Sequence, residues 1–137
     1  PELAKNVRSK LAKLNRSLIS NPPAFGARIV SKILNDPQLF SEWNSDLLVM
    51  VNRIKTMRKS LHEQLVHLKT PGNWDHIVTQ IGMFSYTGMT KTQSVLMKEK
   101  FHIYLTENGR ISIAGLTSKN MDYFAQSMDW VIRNCHE

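Results

Sequence analysis

The sequence predicts an α/β protein, a small α+β layer in which a long helix leads into alternating strands and helices. Three observations support this. Apolar residues recur every three or four positions over about 30 residues after Pro37, as in one long amphipathic helix. After Pro71 the apolar residues form short runs bounded by glycine, which is typical of strands. Helical spacing then returns, so the predicted order is long helix, strand, helix, two strands, helix.

Two helices are predicted before the long one. Residues 2–14 carry an apolar stripe with basic residues between, which predicts an amphipathic helix. The stripe consists of Leu3, Val7, Leu11 and Leu14. Asn21-Pro22-Pro23 breaks the helix, because proline biases the residue before it away from helix. A second helix is predicted over 23–34. Its expected inward residues are Ile29, Val30, Ile33 and Leu34.

The long helix is predicted to span 37–68. Asp36 can cap its first turn and Pro37 suits the first helical position. Thr70-Pro71-Gly72 ends it. Because the helix is longer than most in globular proteins, we expect it to bridge two lobes or to lie across one.

One strand and one helix should follow. Residues 81–86 predict a strand that Gly88 ends. Thr90 and Gln93 match a capping box, with threonine at the cap and glutamine three residues later. The residues after this box, 91–101, are therefore predicted to be helical.

A hairpin and a last helix complete the predicted order. Residues 102–105 and 110–113 predict short strands, and Asn108-Gly109 between them favours a tight turn. Thr117 is expected to open the last helix. The inward residues of that helix should be Met121, Phe124, Ala125, Met128 and Ile132.

Length and composition place the chain among ordinary soluble domains. It has 137 residues, 42% of them hydrophobic and 21% charged, which is about one domain with enough apolar material for a core. We find neither a signal peptide nor an apolar run of the roughly 18 residues that a membrane helix needs. Because the chain begins at Pro1 and not at methionine, we expect it to be cut from a longer protein.

The positive charge lies mostly at the N-terminal end. The formal net charge is +7, and the first 35 residues hold seven basic residues against Glu2 alone. Such a segment can steer nucleic acid or an anionic substrate towards a protein. It can equally be a solvated helix face. Charge alone leaves both interpretations open.

Motifs for metal or nucleotide chemistry are absent from the sequence. It contains no glycine-rich dinucleotide fingerprint, no phosphate-binding loop and no paired-histidine zinc motif. The histidines lack partners at ligand spacing, so we expect no metal. They are His62, His67, His76, His102 and His136. The single cysteine, Cys135, excludes an internal disulfide and is expected to be an idle thiol in a reducing compartment.

One arginine stands out by its position. Arg110 lies at the mouth of an apolar strand, directly after Gly109. The planar guanidinium of an arginine there can hold a carboxylate or phosphate with two parallel hydrogen bonds. The alternative is a strand-end arginine paired with an acidic neighbour, and the sequence leaves both open.

Three segments carry a resemblance to a known family. Residues 20–23 with 26–29 resemble the serine-asparagine-proline-proline loop of the aspartate aminotransferases. Residues 69–77 with 80–88 are similar to the cytosolic branch of that family. Residues 109–117 resemble the segment around its substrate-binding arginine. The segments occur in family order over nearly the whole chain. It therefore resembles the C-terminal third of a cytosolic-type aspartate aminotransferase, or of a divergent paralogue.

The resemblance implies a pyridoxal-phosphate-dependent transferase of fold type I. Residues 1–36 would then be the end of the large domain with a dimer-interface loop. Residues 37–137 would be the small C-terminal domain, led by the long helix. The implied protein is a cytoplasmic homodimer that acts on an amino acid and a 2-oxo acid. Neither a membrane nor nucleic acid is an expected partner.

The resemblance also implies roles for four residues. Arg110 would bind the substrate α-carboxylate, and Phe84 would line the substrate pocket. Arg16 would reach into the neighbouring subunit's site and bind the distal carboxylate of aspartate or glutamate. Ser20 would lie beside the partner's cofactor phosphate. No catalytic residue is expected in this segment.

The chain departs from the family pattern beside Arg16. The family usually has proline after that arginine and tyrosine before the serine, whereas this chain has Ser17 and Ile19. The Schiff-base lysine, the aspartate on the pyridine nitrogen and the main phosphate-binding arginine precede this segment in the family. Pyridoxal 5'-phosphate is therefore expected in the full-length dimer and not on this segment alone.

Three functions follow from these patterns. The first is an aspartate transaminase-like enzyme, which the resemblance favours. The second is a catalytically inactive paralogue that keeps the fold and the dimer surface, and the upstream lysine would distinguish it from the first. The third and least favoured is a basic binding module, which rests on the charge of the first 35 residues.

Overall fold

The structure is a computed structural model and describes residues 2–20 and 22–135. Its elements, in chain order, are α1 (Glu2–Ile19), α2 (Phe25–Asn35), α3 (Pro37–His67), α4 (His76–Thr79), β1 (Phe84–Tyr86), α5 (Lys91–Phe101), β2 (Arg110–Ser112), a 3-10 turn (Ile113–Gly115) and α6 (Met121–Asn134). The predictions at Asn21 and His136 lie outside the described residues.

The chain divides into two compact units, one up to Asp46 and one from Leu47 onward. This division falls inside α3, further along than the boundary expected between residues 36 and 37. The assignment of these regions to a large and a small domain stays a prediction.

The first unit contains helices with uncovered apolar faces. α1 continues past the predicted end at residue 14 and stops at Ile19, where Ser20 adopts a left-handed φ of 59°. The described residues of α1 and α2 include no buried side chain. The inward face predicted for α2 is thus wrong for this chain, since Ile29, Val30 and Leu34 are exposed. An apolar face needs a second layer, and this unit has none to cover it.

The start of α3 is set by its predicted cap. Oδ1 of Asp36 accepts the backbone N–H groups of Gln38 at 3.1 Å and Leu39 at 3.3 Å. The ammonium of Lys32 donates to Oδ2 at 3.0 Å, and this bond, with the backbone N–H donors, lowers the pKa of Asp36. The 31-residue helix ends at His67, within a residue of the prediction. Among the described residues, no helix is long and apolar enough to cross a lipid bilayer.

The core lies in the second unit, between the C-terminal half of α3, the helices α5 and α6, and the sheet. Its fully buried large apolar side chains are Leu61, Leu65, Ile77, Met97, Ile113, Met128 and Val131. α5 packs directly against α6. These side chains come from every part of the unit, so the core holds the helices and the sheet in one body.

The capping box at the start of α5 is confirmed. Oγ1 of Thr90 accepts the N–H of Gln93 at 3.2 Å, and Oε1 of Gln93 accepts the N–H of Thr90 at 3.0 Å. α6 begins at Met121, later than the predicted start at Thr117, whose carbonyl accepts the N–H of Met121. The short α4 was not predicted.

The two strands pair differently from the prediction. β1 and β2 are antiparallel, with Phe84 opposite Ser112, Ser85 opposite Ile111 and Tyr86 opposite Arg110. The predicted strand over 102–105 is wrong. α5 ends in a left-handed turn at His102 (φ 53°), and the Ile103 N–H turns back to the Met97 carbonyl. Residues 102–105 form no strand, and β2 pairs with β1 instead.

Candidate carboxylate-binding site

The outer face of the β1–β2 sheet carries the candidate site. Successive side chains of a strand point to opposite faces, and both strands follow an exposed, buried, exposed pattern. Ser85 and Ile111 point into the core. Phe84 and Arg110 therefore share the outer face, where they are diagonal neighbours across the strand pair.

The structure brings two predicted site residues into contact. The guanidinium carbon of Arg110 lies 4.8 Å from the centroid of the Phe84 ring, within the range of a cation–π interaction. The Arg110 side chain forms no hydrogen bond or salt bridge with any described residue, so an acidic partner for it is not found within residues 2–20 and 22–135. Its N–H donors point away from the core and are free to bind a ligand.

The turn before β2 holds the backbone of Arg110. The Arg110 N–H donates to Oγ1 of Thr106 at 3.1 Å, and the same hydroxyl donates to the Arg110 carbonyl at 3.0 Å. Oδ1 of Asn108 lies 2.6 Å from the same Oγ1, so the single hydroxyl proton is shared between this oxygen and the Arg110 carbonyl. Three polar contacts thus fix the backbone from which the Arg110 side chain projects.

Gly109 is required by the close approach of the chain beside Arg110. Its φ is +74°, and a Cβ built there would lie 2.7 Å from the Met89 carbonyl oxygen. Thr87 donates to the Gly109 carbonyl through both its N–H, at 2.9 Å, and its hydroxyl, at 2.8 Å. Only glycine combines this backbone conformation with this contact.

A buried arginine lies beneath β1. Arg58 of α3 is 4% exposed and donates to the carbonyl oxygens of Ile77 at 2.6 Å, Gly82 at 2.9 Å and Phe84 at 2.6 Å. It also donates to Oγ of Ser85 at 3.2 Å. Burial lowers the pKa of Arg58 from its ordinary value.

A second arginine of α3 holds the chain after β2. Arg53 donates to the carbonyl of Leu116 at 2.7 Å and, through both terminal nitrogens, to that of Ala114 at 3.3 and 3.4 Å. Two arginines of α3 therefore bond to the chain beside the strands, Arg58 at β1 and Arg53 after β2.

Sequence reasoning missed Arg58, although the sequence holds a signal. Arg58 falls on the apolar stripe of α3, four residues after Ile54 and three before Leu61. A lone charge on a stripe that faces the core is a local conflict, and such conflicts often mark sites with a special role. Arg53 has no comparable signal, because it lies on a polar face of the helix.

The two other predicted site residues lie in the first unit. Arg16 is exposed in the last turn of α1, and Ser20 follows that helix. The carbonyl of Arg16 accepts the N–H of Ser20 at 3.0 Å, so one turn links the two residues. Arg16 and Ser20 thus form one pair at the end of α1, as Phe84 and Arg110 form another on the sheet.

The lysines bear on whether the chain fits a pyridoxal phosphate cofactor. All eleven are exposed, and all lie within the described residues. A lysine that forms a Schiff base is usually activated by burial or by a neighbouring cation. The chain therefore fits the substrate side of such a site, and Ser20 offers a hydroxyl to a phosphate, but no lysine here fits the covalent anchor.

Comparisons with known proteins show which family the chain is similar to. The family Aminotransferase class I and II matches residues 3–128. Cytoplasmic aspartate aminotransferase of Schizosaccharomyces pombe is 54% identical over 93% of this chain and 31% of its own length. That of Saccharomyces cerevisiae is 50% identical over 93% and 30%. The solved aspartate aminotransferase from Saccharomyces cerevisiae cytoplasm superposes with a TM-score of 0.85 at 49% identity, covering 96% of this chain and 32% of that one.

These matches define the class of protein. The fold is a portion of the α/β fold of type I pyridoxal-phosphate-dependent transferases, as predicted. The chain belongs to the class I and II aminotransferase family. It spans about a third of the length of the curated relatives it matches.

Proposed function

We propose that the whole protein is an aspartate transaminase-like enzyme, which transfers an amino group between aspartate or glutamate and a 2-oxo acid. One observation carries the proposal. Arg110 is held at its backbone and stacked on Phe84, yet its guanidinium makes no bond to any described residue. A cation oriented in this way and left unpaired is suited to bind an anionic substrate.

Arg110 is the proposed ligand of the substrate α-carboxylate. Its planar guanidinium can give two parallel N–H donors to the two carboxylate oxygens, which fixes the substrate's orientation as well as its position. Phe84 limits the rotation of that plane and provides an apolar wall. Both groups bind and orient the substrate, and neither transfers a proton.

Arg16 and Ser20 are proposed to act across a homodimer interface. Arg16 would bind the distal carboxylate in the neighbouring subunit's site, and Ser20 would donate to the partner's cofactor phosphate. Ser17 and Ile19 flank this pair in place of the family's proline and tyrosine. We expect them to change how strongly Arg16 distinguishes dicarboxylate from monocarboxylate substrates.

The cofactor in this proposal is pyridoxal 5'-phosphate, which supplies the electron sink for amino transfer when it is bound. Because the lysines of this chain are exposed, we propose that the covalent anchor of the cofactor lies outside the 137 residues. The names of the relatives support aspartate as the substrate and the cytoplasm as the compartment.

Transplanting the chain tests the proposal. This chain replaces the matching third of the Schizosaccharomyces pombe relative, and transamination of aspartate is measured in the chimaera. Sedimentation and the cofactor's absorbance establish first that the chimaera is dimeric and loaded. We expect turnover within about tenfold of the unmodified relative, a loss of no more than 1.4 kcal/mol.

A loaded, dimeric chimaera without turnover would contradict the proposal and favour the inactive paralogue. The basic binding module is tested on the chain itself, by titrating its binding to a random DNA duplex against salt. Affinity that falls steeply with salt would support that module. We expect no salt-dependent binding.

A further inference from the structure

Arg58 is a buried cation whose partners are all neutral. It lies on the core-facing stripe of α3 and is 4% exposed. Burying a charge costs free energy unless hydrogen bonds compensate for the lost water. Within the described residues no carboxylate pairs with Arg58, and its acceptors all lie between residues 77 and 85.

These acceptors belong to the chain segment that leads into β1 and to β1 itself. One terminal nitrogen donates to the Ile77 carbonyl and to Oγ of Ser85, and the other donates to the carbonyls of Gly82 and Phe84. The Ser85 hydroxyl accepts from Arg58 and itself donates to Oε1 of Gln80 at 2.7 Å. One guanidinium therefore bonds to α4, to the loop that follows it and to β1.

Besides its bonds to Arg58, β1 has a bond from the Tyr86 N–H to Oε1 of Gln80 at 3.1 Å. It has three residues, and among the described residues its only strand partner is β2. A two-stranded sheet is marginally stable by itself. The bond from Arg58 to the Phe84 carbonyl, at 2.6 Å, is made at the residue whose ring lies against Arg110.

We propose that Arg58 is a positioning residue for substrate carboxylate binding: it fixes β1 from the core side and so holds Phe84 under the Arg110 guanidinium. The inference rests on the proposed function for its kinetic test only. Arginine suits the role because its planar fork reaches four acceptors at once, whereas the single ammonium of lysine cannot match that geometry.

The test compares Arg58→Met and Arg58→Lys in the full-length protein that carries this chain. Arg133→Met is the matched control, because Arg133 also donates to two backbone carbonyls, those of Leu68 and Lys69, away from the strands. Succinate, a dicarboxylate without an amino group, is the binding probe. Its Kd is measured by calorimetry beside KM and kcat for aspartate.

We expect Arg58→Met to raise the succinate Kd and the aspartate KM about tenfold or more, since small misplacements of a binding group are costly. We expect kcat to fall by a smaller factor. The succinate Kd and aspartate KM of Arg58→Lys should lie between those of Arg58→Met and the parent, and those of Arg133→Met should stay within about twofold of the parent. In an Arg110→Lys background, Arg58→Met should add little, because both changes remove the same interaction.

The proposal is overturned if Arg58→Met lowers only kcat or yield while the succinate Kd is unchanged, or if the losses from Arg58→Met and Arg110→Lys multiply. If Arg58→Met does not fold, Arg58→Lys decides by the same criteria. If the parent binds succinate but does not transaminate, the proposed function fails while the Kd values still test Arg58. If it binds no succinate, amide exchange decides: faster exchange over 84–86 and 110–112 in the Arg58 variant than in the control supports positioning, and equal exchange overturns it.

Discussion

Replacing Arg110 with lysine keeps the positive charge but removes the planar fork. In the parent the guanidinium carbon lies 4.8 Å from the Phe84 ring centroid, and Thr106 holds the Arg110 backbone. Lysine has a single ammonium at the end of a flexible chain. It can donate to a carboxylate but cannot make two parallel bonds in a set plane.

The size of the effect follows from the bonds that are lost. One charge-assisted hydrogen bond contributes about 1.5–3 kcal/mol. The contact with Phe84 contributes about 0.5–1 kcal/mol at an exposed site. With about 1.4 kcal/mol for each factor of ten, kcat/KM should fall on the order of a hundredfold.

Steady-state kinetics on two substrates checks this value. Aspartate and alanine both carry the α-carboxylate that Arg110 is proposed to bind, so Arg110→Lys should reduce kcat/KM for both by a similar factor. Arg133→Lys serves as the control, because that arginine is already paired with Asp129. We expect the control to match the parent.

An Arg110→Lys variant that turns over aspartate within a factor of a few of the parent would refute the assignment. So would a loss confined to aspartate, because that result would place the distal carboxylate on Arg110. A parent without any transamination would shift the interpretation to the inactive paralogue.

Three further predictions concern Arg16, Gly109 and the attachment of the cofactor. Arg16→Lys should lower kcat/KM about tenfold or more for aspartate and much less for alanine, and equal losses would contradict its role at the distal carboxylate. Gly109→Ala should lower the free energy of unfolding in urea by about 1–3 kcal/mol, because its Cβ would meet the Met89 carbonyl, whereas Gly115→Ala has open space and should be nearly neutral. The 137-residue chain alone should form no stoichiometric imine with pyridoxal phosphate; one adduct at a single lysine after borohydride reduction would show that its anchor lies within this chain.

The starts of α3 and α5 could be predicted because they depend on neighbouring residues. Asp36 caps α3 through bonds to residues two and three positions away. The capping box of α5 likewise links Thr90 and Gln93. Interactions of such short range can be predicted from the local sequence pattern. α6 differed more, beginning four residues after the predicted start at Thr117.

The strand pairing could not be predicted in this way. The Asn108-Gly109 turn favoured a hairpin between residues 102–105 and 110–113, yet β2 pairs with β1, which precedes it by more than twenty residues. The β1–β2 register sets Phe84 opposite Ser112 and Tyr86 opposite Arg110. Strand pairing depends on distant segments, and a turn signal alone does not specify them.

The sequence by itself determined five of the six α-helices in the described residues, the caps of α3 and α5, the family and the residues that resemble its carboxylate site, because each is carried by neighbouring residues or by motifs in order. Only the tertiary structure decided which strand lies beside Arg110, that its ring partner is Phe84, and that Arg58 holds that strand from the core. These facts join residues 24 positions apart or more. Packing decides them because burial and hydrogen bonding are satisfied between segments, not within one.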